Sequence, residues 1–286
     1  MKNDIQDLKE KLLKIAKNEI RISYCKSEET FSVTGSKIGG RPAVPDDFIW
    51  PEYNGKGYCD DEPATRPLSF MAQITLAEVA EYDTENLLPK TGVLSFFYEM
   101  VTMQWGFDPA DKGSARVYYF PDTTKLSFRE FPSDMEEEAQ IPELNIKFEK
   151  HISLPCFSTF DADDIDWEAY EACCRELGYE QDGMGDVTKM LGYPDVIQNP
   201  MEEECEAVTR GYRRGCPEDF KKISEEEKED IREKAKEWIL LFQMGTISSE
   251  ETEIMFGDCG HIYFWMKKSD LENKKFENIW LILQCG

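Results

Sequence analysis

A stretch of nine residues occurs twice in this chain in altered form, and no other feature narrows the fold as far. Ser36-Lys37-Ile38-Gly39-Gly40-Arg41-Pro42-Ala43-Val44 returns as Thr188-Lys189-Met190-Leu191-Gly192-Tyr193-Pro194-Asp195-Val196, with Lys, Gly, Pro and Val at the same offsets. Each copy leads to an apolar run that holds a glutamine near its end, Leu68 to Ile74 with Gln73 and Ile239 to Met244 with Gln243. Each glutamine then precedes a strand opened by glycine, Gly92 in one copy and Gly260 in the other. Equal motif order requires equal strand order, so the pattern predicts an internal duplication, with a first repeat over about 31–130 and a second over about 186–286. Neither apolar run has a clean polar face, as expected of strands buried on both sides. The repeats are therefore expected to share one core, in a single domain over 1–286.

Ile5, Leu8, Leu12, Ile15, Ala16 and Ile20 keep the 3.6-residue period of an amphipathic helix, predicted over about 4–20. A connecting helix over about 162–178 turns Ile165, Trp167, Tyr170, Cys173, Cys174 and Leu177 inward and stops at Gly178. Met201, Cys205 and Val208 suggest a short helix after Pro200, and Ser224-Glu225-Glu226-Glu227 has the capping-box form that opens another. Val93 to Tyr98, Arg116 to Phe120, Trp238 to Met244, Ile262 to Met266 and Ile279 to Gln284 read as strands. Short strands joined by Gly, Pro and Asp turns favour an antiparallel sheet over strand–helix alternation. The predicted fold class is α+β, a two-layer sandwich with a largely antiparallel sheet.

Bulk properties exclude several functions. No run approaches the roughly 18 apolar residues of a membrane span, and the charged N-terminus lacks the apolar core of an export signal. A net charge of −25 repels phosphate backbones and anionic headgroups. Nucleic acid and membrane are thus excluded as partners, and a basic protein is favoured. Nine cysteines without paired spacing fit free thiols in a cytoplasmic protein.

The ordered set Gly39-Gly40-Arg41-Pro42, Trp50-Pro51, Phe70-Met71-Ala72-Gln73-Ile74, Leu191-Gly192-Tyr193-Pro194, Gly257-Asp258-Cys259-Gly260 and Tyr263-Phe264-Trp265 resembles the YwqG-like family of bacterial proteins, from about Phe31 to Cys285. The function of that family is not established. The resemblance implies an α+β sandwich with a largely antiparallel sheet and supplies no catalytic residues. Because some members stand beside bacterial toxin systems, it also implies an immunity-like role.

Catalytic chemistry has few places to reside. His151 and His261 are the only histidines. Cys259 and His261 would share a face of an extended chain, the arrangement in which an imidazole makes a thiolate nucleophile, but Gly257-Asp258-Cys259-Gly260 reads first as a turn that launches a strand. No zinc spacing occurs, so neither metal nor cofactor is expected. Gln73 and Gln243, at the ends of apolar strands, must satisfy a buried amide, either by fastening the adjacent loop or by binding a ligand. Two functions follow. The first is a non-enzymatic acidic protein that binds a macromolecular partner, approached through Glu136-Glu137-Glu138, Glu202-Glu203-Glu204 or Glu225-Glu226-Glu227. The second is an enzyme or small-ligand binder whose site gathers Arg41, Trp50, Gln73 and Asp258, with Gln243 and His261 as further candidates. A deep pocket with convergent polar groups would favour the second.

Overall fold

In the computed structural model, which describes residues 2–25, 32–57, 62–160, 166–179, 187–248 and 252–286, ten strands form one sheet. They are β1 (Lys17–Cys25), β2 (Lys37–Ile38), β3 (Ser69–Thr75), β4 (Val93–Tyr98), β5 (Ala115–Phe120), β6 (Leu144–Ser153), β7 (Thr188–Met190), β8 (Trp238–Gly245), β9 (His261–Lys267) and β10 (Trp280–Gln284). Their order is β10-β9-β8-β7-β1-β6-β2-β3-β4-β5, and every neighbouring pair is antiparallel. The protein is thus α+β with a large antiparallel sheet.

The sheet has the same plan on either side of its centre. β1 and β6 pair along their length. Beyond β6 lie β2 to β5, the first wing, and beyond β1 lie β7 to β10, the second. Registers agree as well, since Lys37 stands opposite Gln73 and Gln73 opposite Ser95, while Lys189 stands opposite Gln243 and Gln243 opposite Tyr263. β3 slips past β4 at Met71, two residues before its glutamine, and β8 slips past β9 at Leu241, also two residues before its glutamine. Such a bulge increases local twist.

The wings fold onto each other. Phe96 on β4 and Phe242 on β8 are separated by six strand spacings in the order, roughly 29 Å in a flat sheet at about 4.8 Å per strand. Their rings nevertheless lie 4.5 Å apart, and Phe264 on β9 meets Phe96 at 5.3 Å. The sheet therefore doubles back, and the layers facing each other across the main core are its own wings. Ile20, Ile38, Met71, Leu94, Met244 and Ile262 fill the space between them.

Two one-turn helices, Leu76–Val79 and Lys268–Glu272, add Leu76, Val79 and Leu271 to this core, and the longer helices lie outside it. α1 (Lys2–Ile15) and α2 (Trp167–Glu176) bury Leu8, Leu12, Tyr170 and Cys173 with Leu154. α3 (Glu202–Thr209) covers the outer face of β8 to β10, and α4 (Glu225–Ala235) packs on α3. Ser224 caps α4 by accepting from the backbone N–H of Glu227 at 3.3 Å. Among the described residues no helix is long and apolar enough to cross a membrane.

Several sequence expectations need correction. The first helix ends at Ile15, and Lys17 to Cys25 are a strand. There Ile20 and Ile22 alternate with Glu19 and Arg21, a period of two that the helical stripe had absorbed. Trp167, expected to face inward, stays exposed at the start of α2. Phe31 and Ile165 lie outside the described residues.

Candidate functional site

The repeated lysines are the first unusual feature, because both are wholly buried on the outer face of the sheet. Lys37 Nζ donates to Glu143 Oε2 at 2.5 Å and to the Arg41 carbonyl at 2.7 Å. Lys189 Nζ meets Glu19 Oε2 at 2.9 Å and Asp195 Oδ2 at 2.5 Å. Each lysine takes its glutamate from the chain at the central strand beside it, Glu19 on β1 and Glu143 just before β6. The loop after each lysine must pass close to that glutamate. At Gly40 (φ +68°) a side chain's first carbon would lie 2.7 Å from Glu143 Cβ, and at Gly192 (φ +74°) it would lie 2.9 Å from Glu19 Cβ. Left-handed backbone and close approach together require glycine at both.

The glutamines fasten loops. Gln73 Oε1 accepts from Ala43 N at 3.0 Å, and its Nε2 donates to the Val33 and Gly35 carbonyls at 3.0 and 2.9 Å. Gln243 Oε1 accepts from Asp195 N at 2.9 Å, and its Nε2 donates to the Val187 carbonyl and Asp195 Oδ2 at 2.9 and 2.8 Å. Arg41 is exposed, paired with Glu130 at 2.5 Å and placed over the Phe128 ring. Trp50 donates from Nε1 to the Leu68 carbonyl at 2.9 Å and sets its edge against Phe97. These contacts of Arg41, Trp50 and Gln73 lie in the first wing. Asp258 is exposed in a turn of the second, its carbonyl accepting from Gly286 N at 2.9 Å.

His261 and Gln243 do come together, around Asp195. His261 is buried with Nδ1 3.1 Å from the Tyr263 hydroxyl, which donates to the Asp195 carbonyl at 2.5 Å. Cys259 is exposed at φ +50° in a turn over 257–259, so the chain is not extended there and the alternative Cys–His pairing fails. Burial pushes the Asp195 carboxyl up, but Lys189 and the Gln243 amide more than offset it and hold its pKa below the ordinary value. Its Oδ1 has no hydrogen-bond partner among the described residues. Counted from the lysine and the strand-opening glycine, the first wing has Ala43, Val93 and Ser95 where the second has Asp195, His261 and Tyr263.

A cleft of about 860 Å³ opens on the outer side of the second wing, lined by Lys17, Glu202, Glu204, Arg214, Lys236 and Trp238 among others. Arg214 is buried in its wall. Its Nη2 donates to Glu204 Oε2 at 3.2 Å, its guanidinium lies on the Phe220 ring at 3.0 Å, and its Nε has no acceptor among the described residues. Burial lifts the carboxyls of Glu202 and Glu204 above their usual range and lowers the Lys17 ammonium. Trp238 closes the floor, donating from Nε1 to Glu206 Oε2 at 2.8 Å. Of these residues the sequence had marked only the run Glu202 to Glu204.

Residues 36–285 match the family described as Domain of unknown function (DUF1963). The chain belongs to that family. No curated protein matches it. The DUF1963 match spans both lysines, both glutamines and the cleft from Phe107 to Trp238, and it leaves out Lys17 and Glu19. One of the two carboxylate partners of Lys189 therefore comes from chain that precedes the matched segment. No group of three or more His, Cys, Asp or Glu side chains among the described residues is placed to hold a metal ion.

Proposed function

We propose that this protein binds a small polar ligand in the cleft on the outer face of its second wing. The observation that carries the reading is the difference in cover between two wings with one register. The first wing's outer face is sealed by aromatic side chains, whereas the second is roofed by helices that leave about 860 Å³ walled by the buried Arg214 and the half-buried Lys17, Glu202, Glu203 and Glu204. Stability alone gives no reason to keep such a space, because burying charge beside a void is costly. Concave sites with a few convergent polar groups are where small molecules bind. The matching registers, bulges and lysine–glutamate contacts support a further part of the proposal, that the wings descend from one duplicated unit and that the second acquired the site.

The test is to release small molecules from the purified chain by denaturation and identify them by mass spectrometry, beside Gly215→Trp. Gly215 lines the cleft and a Cβ there meets nothing closer than 3.9 Å, so an indole on its wall obstructs the space without straining the backbone. We expect a ligand retained by the native protein and lost from the variant. Equal recovery from both would refute the reading.

A second reading, binding of a basic protein partner in an immunity-like role, draws on the net charge of −25 and on the exposure of Glu136, Glu137 and Glu138. Association that slows with salt, and slows again when those three are neutralised, is its expected signature.

A further inference from the structure

We infer that the ligand of this cleft is an anion, bearing a carboxylate or a phosphate, and that Arg214 receives it. The inference rests on the cleft reading above and adds the charge class. The chain as a whole has 33 Lys and Arg against 58 Asp and Glu. The cleft reverses that ratio, with Lys17, Arg214, Arg232 and Lys236 against Glu202, Glu203 and Glu204. Two of the three carboxylates already have cations, Glu204 on Arg214 at 3.2 Å and Glu203 near Arg232 at 4.0 Å. Those pairs occupy Arg214 and Arg232 as well, and Lys236 is held by Glu233 at 2.5 Å, so the charge class is decided at the Arg214 guanidinium.

Arg214 is built to receive one. Its backbone N–H donates to the Phe107 carbonyl at 2.8 Å and its guanidinium is held on Phe220, so the planar fork is fixed before a ligand arrives. Glu204 takes the Nη2 edge and leaves Nε without an acceptor. An orphaned, buried, charged donor is costly unless something accepts from it. That atom is closed to solvent, so a ligand oxygen reaches it by displacing part of the wall, and would then remove that cost. Lys17, held over the Tyr193 ring at 4.0 Å, supplies a further cation at the mouth.

Calorimetric titration of the full chain with inorganic phosphate, citrate and putrescine tests the assignment. We expect phosphate or citrate to bind and putrescine not to, with phosphate the stronger if the natural group is tetrahedral and citrate if it is a carboxylate. Arg214→Gln should weaken anion binding by about 10- to 100-fold, the range of charge-assisted hydrogen bonds. Since Arg214 is buried and its loss could unfold the loop, the exposed Arg232→Glu and Lys236→Glu serve beside it. Each should weaken anion binding by roughly 2- to 5-fold without lowering the melting temperature. Anion affinity that is absent, or unchanged in all three variants, overturns the assignment. Putrescine binding that Gly215→Trp abolishes, with no anion response, overturns the charge class and leaves the cleft reading standing. Anion binding that survives Gly215→Trp overturns both.

Discussion

On the outer face of the first wing Phe97 is enclosed by Phe48, Trp50, Phe70 and Tyr118, whereas at the matching place in the second wing Trp265 lies under α3, beyond which the charged cleft opens. Both outer faces are apolar and both must be covered. The frame does not dictate the cover. In the first wing the chain just before a ribbon, Glu52–Gly55 paired with Ala64–Pro67, supplies Phe48 and Trp50, whose rings interlock with Phe97 and Tyr118 of the sheet at centroid distances of 5.0 to 5.9 Å, each such pair contributing about 0.5–1.5 kcal/mol beyond the area it buries. In the second, α3 is anchored by Glu206, which accepts from Trp238 Nε1 and from Lys267 Nζ, each at 2.8 Å. Helices held by polar contacts leave space between them, and that space can hold a ligand. The inner faces, by contrast, carry apolar residues in both wings because they pack against each other.

The buried lysines give the largest expected difference between the wings. Glu19 and Lys189 are both 0% exposed, whereas Glu143, the partner of Lys37, is 31% exposed. Lys189→Met strands Glu19 and Asp195 in the interior with only Arg21 in support and should cost about 3–5 kcal/mol. Lys37→Met leaves a carboxylate that can turn to water and should cost about 1–3 kcal/mol. Urea unfolding of both variants measures this. Adding Glu19→Gln and Asp195→Asn to Lys189→Met should recover most of the loss, because the expense lies in the unpaired charge. Equal costs at the two lysines would show that the clasps are equivalent and that exposure does not separate them.

The glycines after those lysines should behave alike. Gly40→Ala and Gly192→Ala both place a side chain at positive φ and against a glutamate Cβ. A loss of about 2–3 kcal/mol is expected for each. A tolerated Gly192→Ala beside a damaging Gly40→Ala would break the correspondence at its most constrained point.

How far the sequence revealed this arrangement depends on the residue. Lys37, Gly40, Gln73 and their counterparts were legible because each lies in a local motif with fixed spacing, and the glutamines do fasten the loops beside them. Glu19 and Glu143 were not, because they precede their motifs and each serves the lysine of the other wing. A faint signal exists in Glu19-Ile20-Arg21-Ile22 and Glu143-Leu144-Asn145-Ile146, but the helical stripe through Ile20 concealed the first. The bending of the sheet was also hidden, since alternation reports which residues face a core and not what lies across it. The cleft was least legible of all. Lys17, Arg214 and Lys236 are far apart in the chain, and only the packing of α3 and α4 on β8 brings them to one wall.

Protonation of the cleft gives the smallest expected effect and the one most particular to the second wing. Burial raises the Glu202 pKa above the value it has in the unfolded chain, so the folded state binds its proton more tightly. The sign follows from linkage: ionising Glu202 opposes folding, the penalty is complete above the folded pKa, and it fades as pH falls through that pKa toward the unfolded one near 4.5. Glu202→Gln removes the penalty while keeping the shape. Its melting temperature should exceed that of the unaltered chain by about 1–3 °C at pH 7.5, and the two should coincide near pH 4. Glu136→Gln, on the exposed acidic run, should show no such convergence. If Glu202→Gln instead lowers the melting temperature at pH 7.5, the Glu202 carboxylate is held by Lys17 as a stabilising ion pair, and its charge supports the second wing rather than opposing its folding.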